Sequence, residues 1–184
     1  LSLASAGGRL ADPALFPAPA DVTGLSLQVA YDAATRRVRA ANARLSLPGG
    51  GTVEFAGEGA LEDAGPRLAG RLRFAAIPVD ALARYWPLPI APKARTWIVA
   101  NLSTGIVDQA VLELSLEPVA GQPPRLASFS GNVDFRGVSV AYIPGMPRVT
   151  RVDGKAALGL SKVEVAAQSG GIGALRVEEA RALL

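Results

Sequence analysis

Gln109-Ala-Val-Leu-Glu-Leu-Ser-Leu-Glu117 alternates with a period of two. Ala110, Leu112, Leu114 and Leu116 fall on one side of an extended chain, and Gln109, Glu113, Ser115 and Glu117 on the other. That is the pattern of a β-strand with one dry and one wet face. The same period extends in both directions. Leu25, Leu27, Val29 and Tyr31 oppose Ser26, Gln28 and Ala30, and Leu45 and Leu47 follow an Arg-rich turn at Arg36, Arg37 and Arg39. Val53 and Phe55 alternate with Thr52 and Glu54, and Leu68, Leu72, Phe74 and Ala76 oppose Arg71 and Arg73. Further on, Val133 and Phe135 oppose Asn132 and Asp134, and the pattern restarts after Gly137 at Val138, Val140 and Tyr142. Ala156, Leu158 and Leu160 then precede Val163, Val165 and Ala167. Strands oily on one face and polar on the other predict a mainly β, antiparallel protein.

A short pattern recurs, glycine followed two and four residues later by apolar residues: Gly51-Thr-Val-Glu-Phe55, Gly70-Arg-Leu-Arg-Phe74, Gly131-Asn-Val-Asp-Phe135 and Gly154-Lys-Ala-Ala-Leu158. It reads as a strand that starts at a glycine bend or bulge. The unequal spacing does not support a strict solenoid.

The centre differs. Val79, Leu82, Ala83 and Trp86 have the i, i+3, i+4, i+7 spacing of a short amphipathic helix, and Pro87 ends it by disfavouring helical geometry at Trp86. Pro89 and Pro92 stiffen the connector, and Pro92 suits the first turn of a second helix carrying Ala94, Trp97, Ile98 and Leu102, closed by Ser103 to Gly105. The stripes are expected to dock a helical hairpin on the sheet through both tryptophans, with ligand stacking as the alternative role for these rings. The expected organisation is one sheet system: residues 1–22 an irregular edge or linker, 23–78 a first strand block, 79–104 the helical insert and 105–184 a second strand block. Gly121 to Pro124 reads as a loop between strands, and Gly49-Gly50-Gly51 as a hairpin turn after Pro48.

Composition narrows the chemistry. The chain has 184 residues, 49% of them hydrophobic and 19% charged, enough apolar surface to fold as one unit. There is no His and no Cys, which removes the Ser-His-Asp triad, the thiolate nucleophile and the usual nitrogen–sulfur zinc site. Nineteen Lys and Arg against sixteen Asp and Glu are interspersed and leave +3, too little to mark a nucleic-acid binder. No window reaches the ~18–20 apolar residues of a membrane helix. Residue 1 is Leu and the only methionine is Met146, so a piece of a longer polypeptide is expected. The remaining catalytic candidates are carboxylates: Glu54, Glu58 and Glu62 along a wet strand face, and Asp108, Asp134 and Asp153 at strand ends or on the polar phase. A paired-carboxylate hydrolase needs two such groups ~5–10 Å apart, and no local pattern demands that. The expectation is therefore not an enzyme, with no cofactor.

If the oily faces pack on each other, the chain is a β-scaffold. If the sheet curls without closing, they line a groove for acyl chains. With only 5% aromatic residues the lining would be aliphatic and unspecific.

The stretch Ile77-Pro-Val-Asp-Ala-Leu-Ala-Arg-Tyr-Trp-Pro87, followed by Pro92-Lys-Ala-Arg-Thr-Trp-Ile-Val-Ala-Asn-Leu-Ser-Thr-Gly105, resembles the YhdP-like branch of the AsmA-like proteins. There, a Tyr-Trp-Pro and an Ala-Arg-Trp-Ile segment ending in Asn-Leu and a glycine precede a strand. Phe135-Arg-Gly-Val-Ser-Val-Ala-Tyr142 with Pro147, then Val152-Asp-Gly154, resembles the strand-turn-strand that follows. The likeness covers roughly residues 66–165. It implies a curved, open antiparallel β-groove with a short two-helix insert, in an internal periplasmic segment of a long protein anchored in the inner membrane of a diderm bacterium. It also implies that the groove carries phospholipid between the inner and outer membranes, touching membranes through parts of the full-length chain absent here. The family offers no catalytic residues. On this reading Val53, Phe55, Leu72, Phe74, Leu112, Leu114, Val133, Phe135, Val140 and Leu158 line the groove. Arg71, Arg73 and Arg148 are candidates for headgroup phosphates, solvated surface being the alternative. The competing reading of the whole is a structural or interaction scaffold of the cell envelope without lipid cargo.

Overall fold

A computed structural model describes residues 1–88, 90–143 and 145–183. Pro89, expected to stiffen the inter-helix connector, lies outside the described residues.

Fourteen strands form among the described residues: β1 (Ser2–Ser5), β2 (Gly8–Leu10), β3 (Ala20–Val22), β4 (Gly24–Asp32), β5 (Arg37–Ser46), β6 (Thr52–Glu62), β7 (Gly65–Pro78), β8 (Leu102–Ser103), β9 (Ile106–Val119), β10 (Gln122–Val140), β11 (Val149–Gly159), β12 (Val163–Ile172), β13 (Leu175–Val177) and β14 (Ala180–Leu183). Twelve of them make one open antiparallel sheet in the order β1-β4-β5-β6-β7-β9-β10-β11-β12-β13, with β8 also pairing β10 and β14 also pairing β12. β2 and β3 form a separate ribbon. From β4 to β12 the long strands follow chain order; most are joined by tight turns, while the helical insert links β7 to β9 and eight residues link β10 to β11.

The turns have local causes. At the Arg-rich hairpin, Asp32 Oδ1 accepts the N–H of Ala34 at 2.9 Å and Oδ2 accepts the Thr35 hydroxyl at 2.8 Å, while Arg36 takes the left-handed φ of 52°. After Pro48, Gly49 and Gly50 stand at φ 87° and 90°, and the Leu47 N–H donates to the Gly51 carbonyl at 2.7 Å. The expected loop at Gly121–Pro124 is shorter than the sequence implied. The turn is at Ala120–Gly121 and β10 begins at Gln122. Pro124 has no N–H to give, and the β9–β10 ladder jumps there from Gln122↔Val119 to Arg125↔Glu117.

The insert contains a 3-10 turn (Val79–Ala81), then α1 (Leu82–Tyr85) and α2 (Pro92–Asn101). Trp86, before Pro87, is already extended at φ −84°, ψ 115°, and Pro92 opens α2. The side chain of Arg95 folds back from α2 to the end of α1, donating to the carbonyls of Trp86 at 3.1 Å and Ala83 at 2.7 Å. Those carbonyls have no intrahelical partner, so the guanidinium closes the hairpin. The second apolar stripe is only partly covered: Ile98 is half-buried, and Leu102, expected on the helix, pairs with Val140 of the sheet as part of β8. Trp97 is 45% exposed, and Trp86 donates its indole N–H locally to the Ile90 carbonyl at 2.7 Å.

The core sits at one end of the sheet. Val22, Leu47 and Ile77 are buried together, packed by Leu10, Leu45, Val53, Phe74, Leu82, Tyr85 and Val107. The N-terminal ribbon and α1 therefore cover the oily face where β5, β6, β7 and β9 end. Two hydrogen bonds hold this cap: Tyr85 donates its hydroxyl to the Asp21 carbonyl at 2.8 Å, and the Leu88 N–H donates to the Leu15 carbonyl at 2.7 Å. Within residues 1–22, then, β2 and β3 belong to the cap and β1 to the edge of the sheet, paired with β4.

Candidate functional site

Register decides which side chains meet. Across β6, β7, β9, β10, β11 and β12 one row reads Phe55↔Leu72↔Leu112↔Gly131↔Leu158↔Val163. The next reads Val53↔Phe74↔Ala110↔Val133↔Ala156↔Val165. Directly paired residues of an antiparallel sheet point the same way, so both rows lie on one face, and six strands at ~4.8 Å make each row about 24 Å wide. Leu114 lies one row further, opposite Gly70 and Phe129, and Phe135 on the other side, opposite Val107 and Gly154. Nine of the ten expected lining residues thus come together. Val140 stands apart, beyond the bulges between Phe135 and Val138 and between Val138 and Val140, paired with Leu102 and Val149.

All ten are half-buried, but for different reasons. Val53 and Phe74 pack against the Val22–Leu47–Ile77 core under the cap. The others lie beyond it. The alanines show that the oily face is the sheltered one at equal side-chain size. Ala156 and Ala167 on that face are half-buried, and their neighbours Ala157 and Ala166, pointing the other way, are exposed. Yet none of the large side chains there is fully enclosed, and Leu126 and Leu61, towards the far end, are exposed.

The glycines of the recurring pattern are not strand starts, Gly51 excepted. Gly70, Gly131 and Gly154 lie inside β7, β10 and β11, each under a large side chain. A Cβ on Gly57 would stand 2.7 Å from Phe55 Cζ and 2.9 Å from Gly70 Cα; the Phe55 ring lies across this glycine pair. A Cβ on Gly154 would stand 3.1 Å from Phe135 Cζ. The ring edges of Phe55 and Phe135 lie against backbone that carries no side chain. Leu68, Leu116, Val163 and Val165, read from the alternation as oily, fall on it too, and so do Phe129 and Leu126 of β10, which the alternation missed. Phe129 keeps the parity of Gly131, Val133 and Phe135, a signal lost by starting that strand at the glycine. Three phase assignments fail: the chain kinks at Ala76, φ 54°, so that Ile77 enters the core in its place, and Tyr142 and Leu160 lie beyond the ends of β10 and β11.

The opposite face is a lattice of ion pairs. Arg44 meets Glu54 at 3.2 Å, Arg136 meets Asp108 at 2.8 Å, Lys155 meets Asp134 at 3.0 Å, and Arg71 pairs with Glu113. Glu54, Asp108 and Asp134 each have a cross-strand cation, the arrangement of a solvated sheet face. Among the described residues no three acids gather as metal ligands would. Asp153 differs. Its Oδ1 accepts the N–H of Gly137 at 2.7 Å and its Oδ2 the hydroxyl of Ser169 at 2.9 Å. The Gly137 bond first and the Ser169 bond second hold its carboxyl below the usual aspartate range. It pins the bulge where Gly137 turns at φ 64°. Arg71 and Arg73 stand on this polar face, away from the oily one, and Arg148 donates to Ser103 Oγ at 2.9 Å. Two open depressions of about 530 and 690 Å³ also lie on the polar face, the first between Arg39, Glu58, Arg71 and Glu113, the second between Asn132, Asp134, Lys155 and Glu164.

Among the described residues no helix is long and apolar enough to cross a membrane. Comparison with protein-family models, with curated proteins and with solved structures finds no match for this chain.

Proposed function

We propose that this chain is a non-enzymatic lipid-handling segment whose oily sheet face binds the acyl chains of phospholipid. In the reading that fits its Trp-containing insert, it is an internal periplasmic part of an AsmA-like protein anchored in the inner membrane, and it serves phospholipid transfer between the two membranes of the envelope. The observation that carries this is the continuous apolar face across β6, β7, β9, β10, β11 and β12, of which the cap covers one end only. Contiguous apolar surface beyond a few hundred Å² marks an interaction site, and each methylene removed from water onto it contributes about 0.8 kcal/mol. Leu, Val, Ala and Phe lying over glycine make a smooth surface with no polar group to orient a ring or a sugar. Flexible alkyl chains suit it best.

The scaffold reading draws on the position of the two depressions, which lie on the polar face. Native mass spectrometry of the purified protein tests between them, with photo-crosslinkers placed at Leu114 and Leu158 and, as polar-face controls, at Arg73 and Asp134. Co-purified phospholipid crosslinked from the leucines alone is the expected result. Protein free of lipid, with no crosslinks from either leucine, leaves the scaffold.

A further inference from the structure

The two ends of the sheet carry different chemistry. At one end the hairpin turns are bounded by acid–base pairs: Arg36 with Asp63 at 2.9 Å, Arg67 with Glu62 at 2.6 Å, Arg125 with Glu117 at 3.1 Å and Lys162 with Glu164 at 2.8 Å. At the other end the segments 81–107 and 135–152 contain no Asp or Glu at all, but hold Arg84, Lys93, Arg95, Arg136, Arg148 and Arg151. Of these, Arg136 pairs with Asp108 and Arg95 is spent on helix carbonyls. Among the described residues Arg84, Lys93, Arg148 and Arg151 are exposed and form no ion pair.

The same end exposes large apolar side chains. Trp97 and Val99 on α2 are 45% and 39% exposed, and Tyr142, Ile143 and Met146 on the following turn are 44%, 47% and 53% exposed. The two segments adjoin. The Ala141 N–H donates to the Asn101 carbonyl at 2.8 Å, Leu102 pairs with Val140, and Asn101 reaches back one helical turn to the Trp97 carbonyl at 2.8 Å. Trp, Tyr, Ile and Met next to unpaired cations, with no acid in either segment, match the interface of a bilayer with anionic headgroups. There the aromatic rings sit at the level of the headgroups and Lys and Arg meet phosphate.

We propose that α2 and the turn after β10 dock this end of the sheet on an anionic phospholipid bilayer, Trp97, Tyr142, Ile143 and Met146 entering the interface and Lys93 and Arg148 meeting phosphates. This goes beyond acyl-chain binding along the sheet and does not rest on it. It places the membrane contact in this chain itself, at the end of the sheet opposite the ion-paired hairpins.

Flotation with vesicles of phosphatidylcholine, with and without 30% phosphatidylglycerol, tests it. Binding is expected only with phosphatidylglycerol, and is expected to fall severalfold in 0.5 M NaCl. Trp97→Ser and Met146→Ser remove side chains that are already exposed, so both variants should fold, as circular dichroism will show. Each should weaken binding at least fivefold. Lys93→Glu reverses one charge and should weaken it about tenfold, at roughly a severalfold effect per charge. Leu114→Asp, on the open sheet face, should leave vesicle binding unchanged even where it abolishes lipid co-purification, which separates this proposal from the acyl-chain reading. Binding indifferent to phosphatidylglycerol, or unchanged in Trp97→Ser and Lys93→Glu, overturns the proposal. So does a dimer in sedimentation that Trp97→Ser dissolves, which would give the surface to a second copy of the chain.

Discussion

The oily face of this sheet is one surface under two regimes. Where β5, β6, β7 and β9 end, it is covered: β2, β3 with its Val22, and α1 close over Leu47 and Ile77, and Ile77 is only 2% exposed. Further along β9 and on β10 and β11, around Leu114, Phe129 and Leu158, the same alternation of residues lies half-buried, with no such cap over it among the described residues. The strands do not differ in kind between the two; what differs is the chain that happens to lie above them. The covered end supplies the close-packed contacts that hold the fold, and the open remainder is the surface on which the proposed acyl chains would lie.

A charge placed in each regime separates them most sharply. Ile77→Asp buries a carboxylate among apolar side chains and should cost several kcal/mol, unfolding the chain in thermal or urea denaturation. Leu158→Asp, in the open row, leaves its carboxylate within reach of water. It should keep the cooperative transition, lose at most about 1–2 kcal/mol and release bound lipid. Phe74→Asp should behave like Ile77→Asp and Phe135→Asp more like Leu158→Asp, since only Phe74 packs against the capped core. Two variants with the same stability would mean the two regions are one continuous core.

The next effect comes from the backbone under the rings. Gly57→Ala puts a methyl 2.6 Å from the Ala69 carbonyl oxygen and 2.9 Å from Gly70 Cα. Both are backbone atoms that no rotamer change can move, so a loss of about 1–3 kcal/mol is expected. Gly159→Ala meets nothing closer than 3.6 Å and should lie within about 0.5 kcal/mol of the parent, on either side. Chemical denaturation of the pair reads this directly.

The period of two made the strands and their faces legible because one-sided burial is written into alternate residues. Nine of the ten side chains expected to line a groove share one surface. The prolines marked the end of α1 at Trp86 and the start of α2 at Pro92, because proline acts on its immediate neighbours. What the alternation missed depends on partners distant in sequence. Gly70 and Gly131 look like strand starts until the neighbouring strand lays Phe55 and Leu112 across them. Ala76 keeps the parity of Phe74 but turns at φ 54°, and periodicity contains no sign of such a kink. The apolar stripe on α2 has helical spacing, yet spacing does not say whether a sheet lies beneath it, and Trp97 is left 45% exposed. Nor could the alternation of Val53 and Phe74 be told from that of Leu112 and Leu114, because the cap that divides them is contributed by residues 8–22 and the helical insert.

On the polar side, Asp153 tests whether a single carboxylate fixes the geometry beside the open face. Its pKa is lower folded than unfolded, so the unfolded chain binds the proton more tightly. The stability it contributes is complete above the ordinary aspartate pKa of about 3.9 and is lost as pH falls through the lower, folded value. Asp153→Asn should therefore be less stable than the parent at pH 7, with the gap narrowing below pH 4. Asp32, Glu62 and Glu164 are also held low by their own hydrogen-bond partners, so the variant keeps part of the acid sensitivity. A gap that stays constant from pH 7 to pH 2 would show that the carboxylate charge plays no part in holding the bulge.

The smallest effects belong to the ion-paired lattice. Glu54, Asp108 and Asp134 are held by Arg44, Arg136 and Lys155 at 3.2, 2.8 and 3.0 Å, in pairs whose side chains are 36% exposed or more. Pairs this wet contribute about 0–1 kcal/mol, since water competes for both ions and salt screens what remains. Replacing each acid singly by Ala should shift stability by no more than that, and less still in 0.5 M NaCl. It should also leave lipid co-purification at the parent level, because the side chains point away from the oily face. A folded Asp134→Ala protein that has lost its lipid would tie the two faces together. The apolar surface would then not suffice for binding, and a carboxylate on the far side of the sheet would have to be given a part in it.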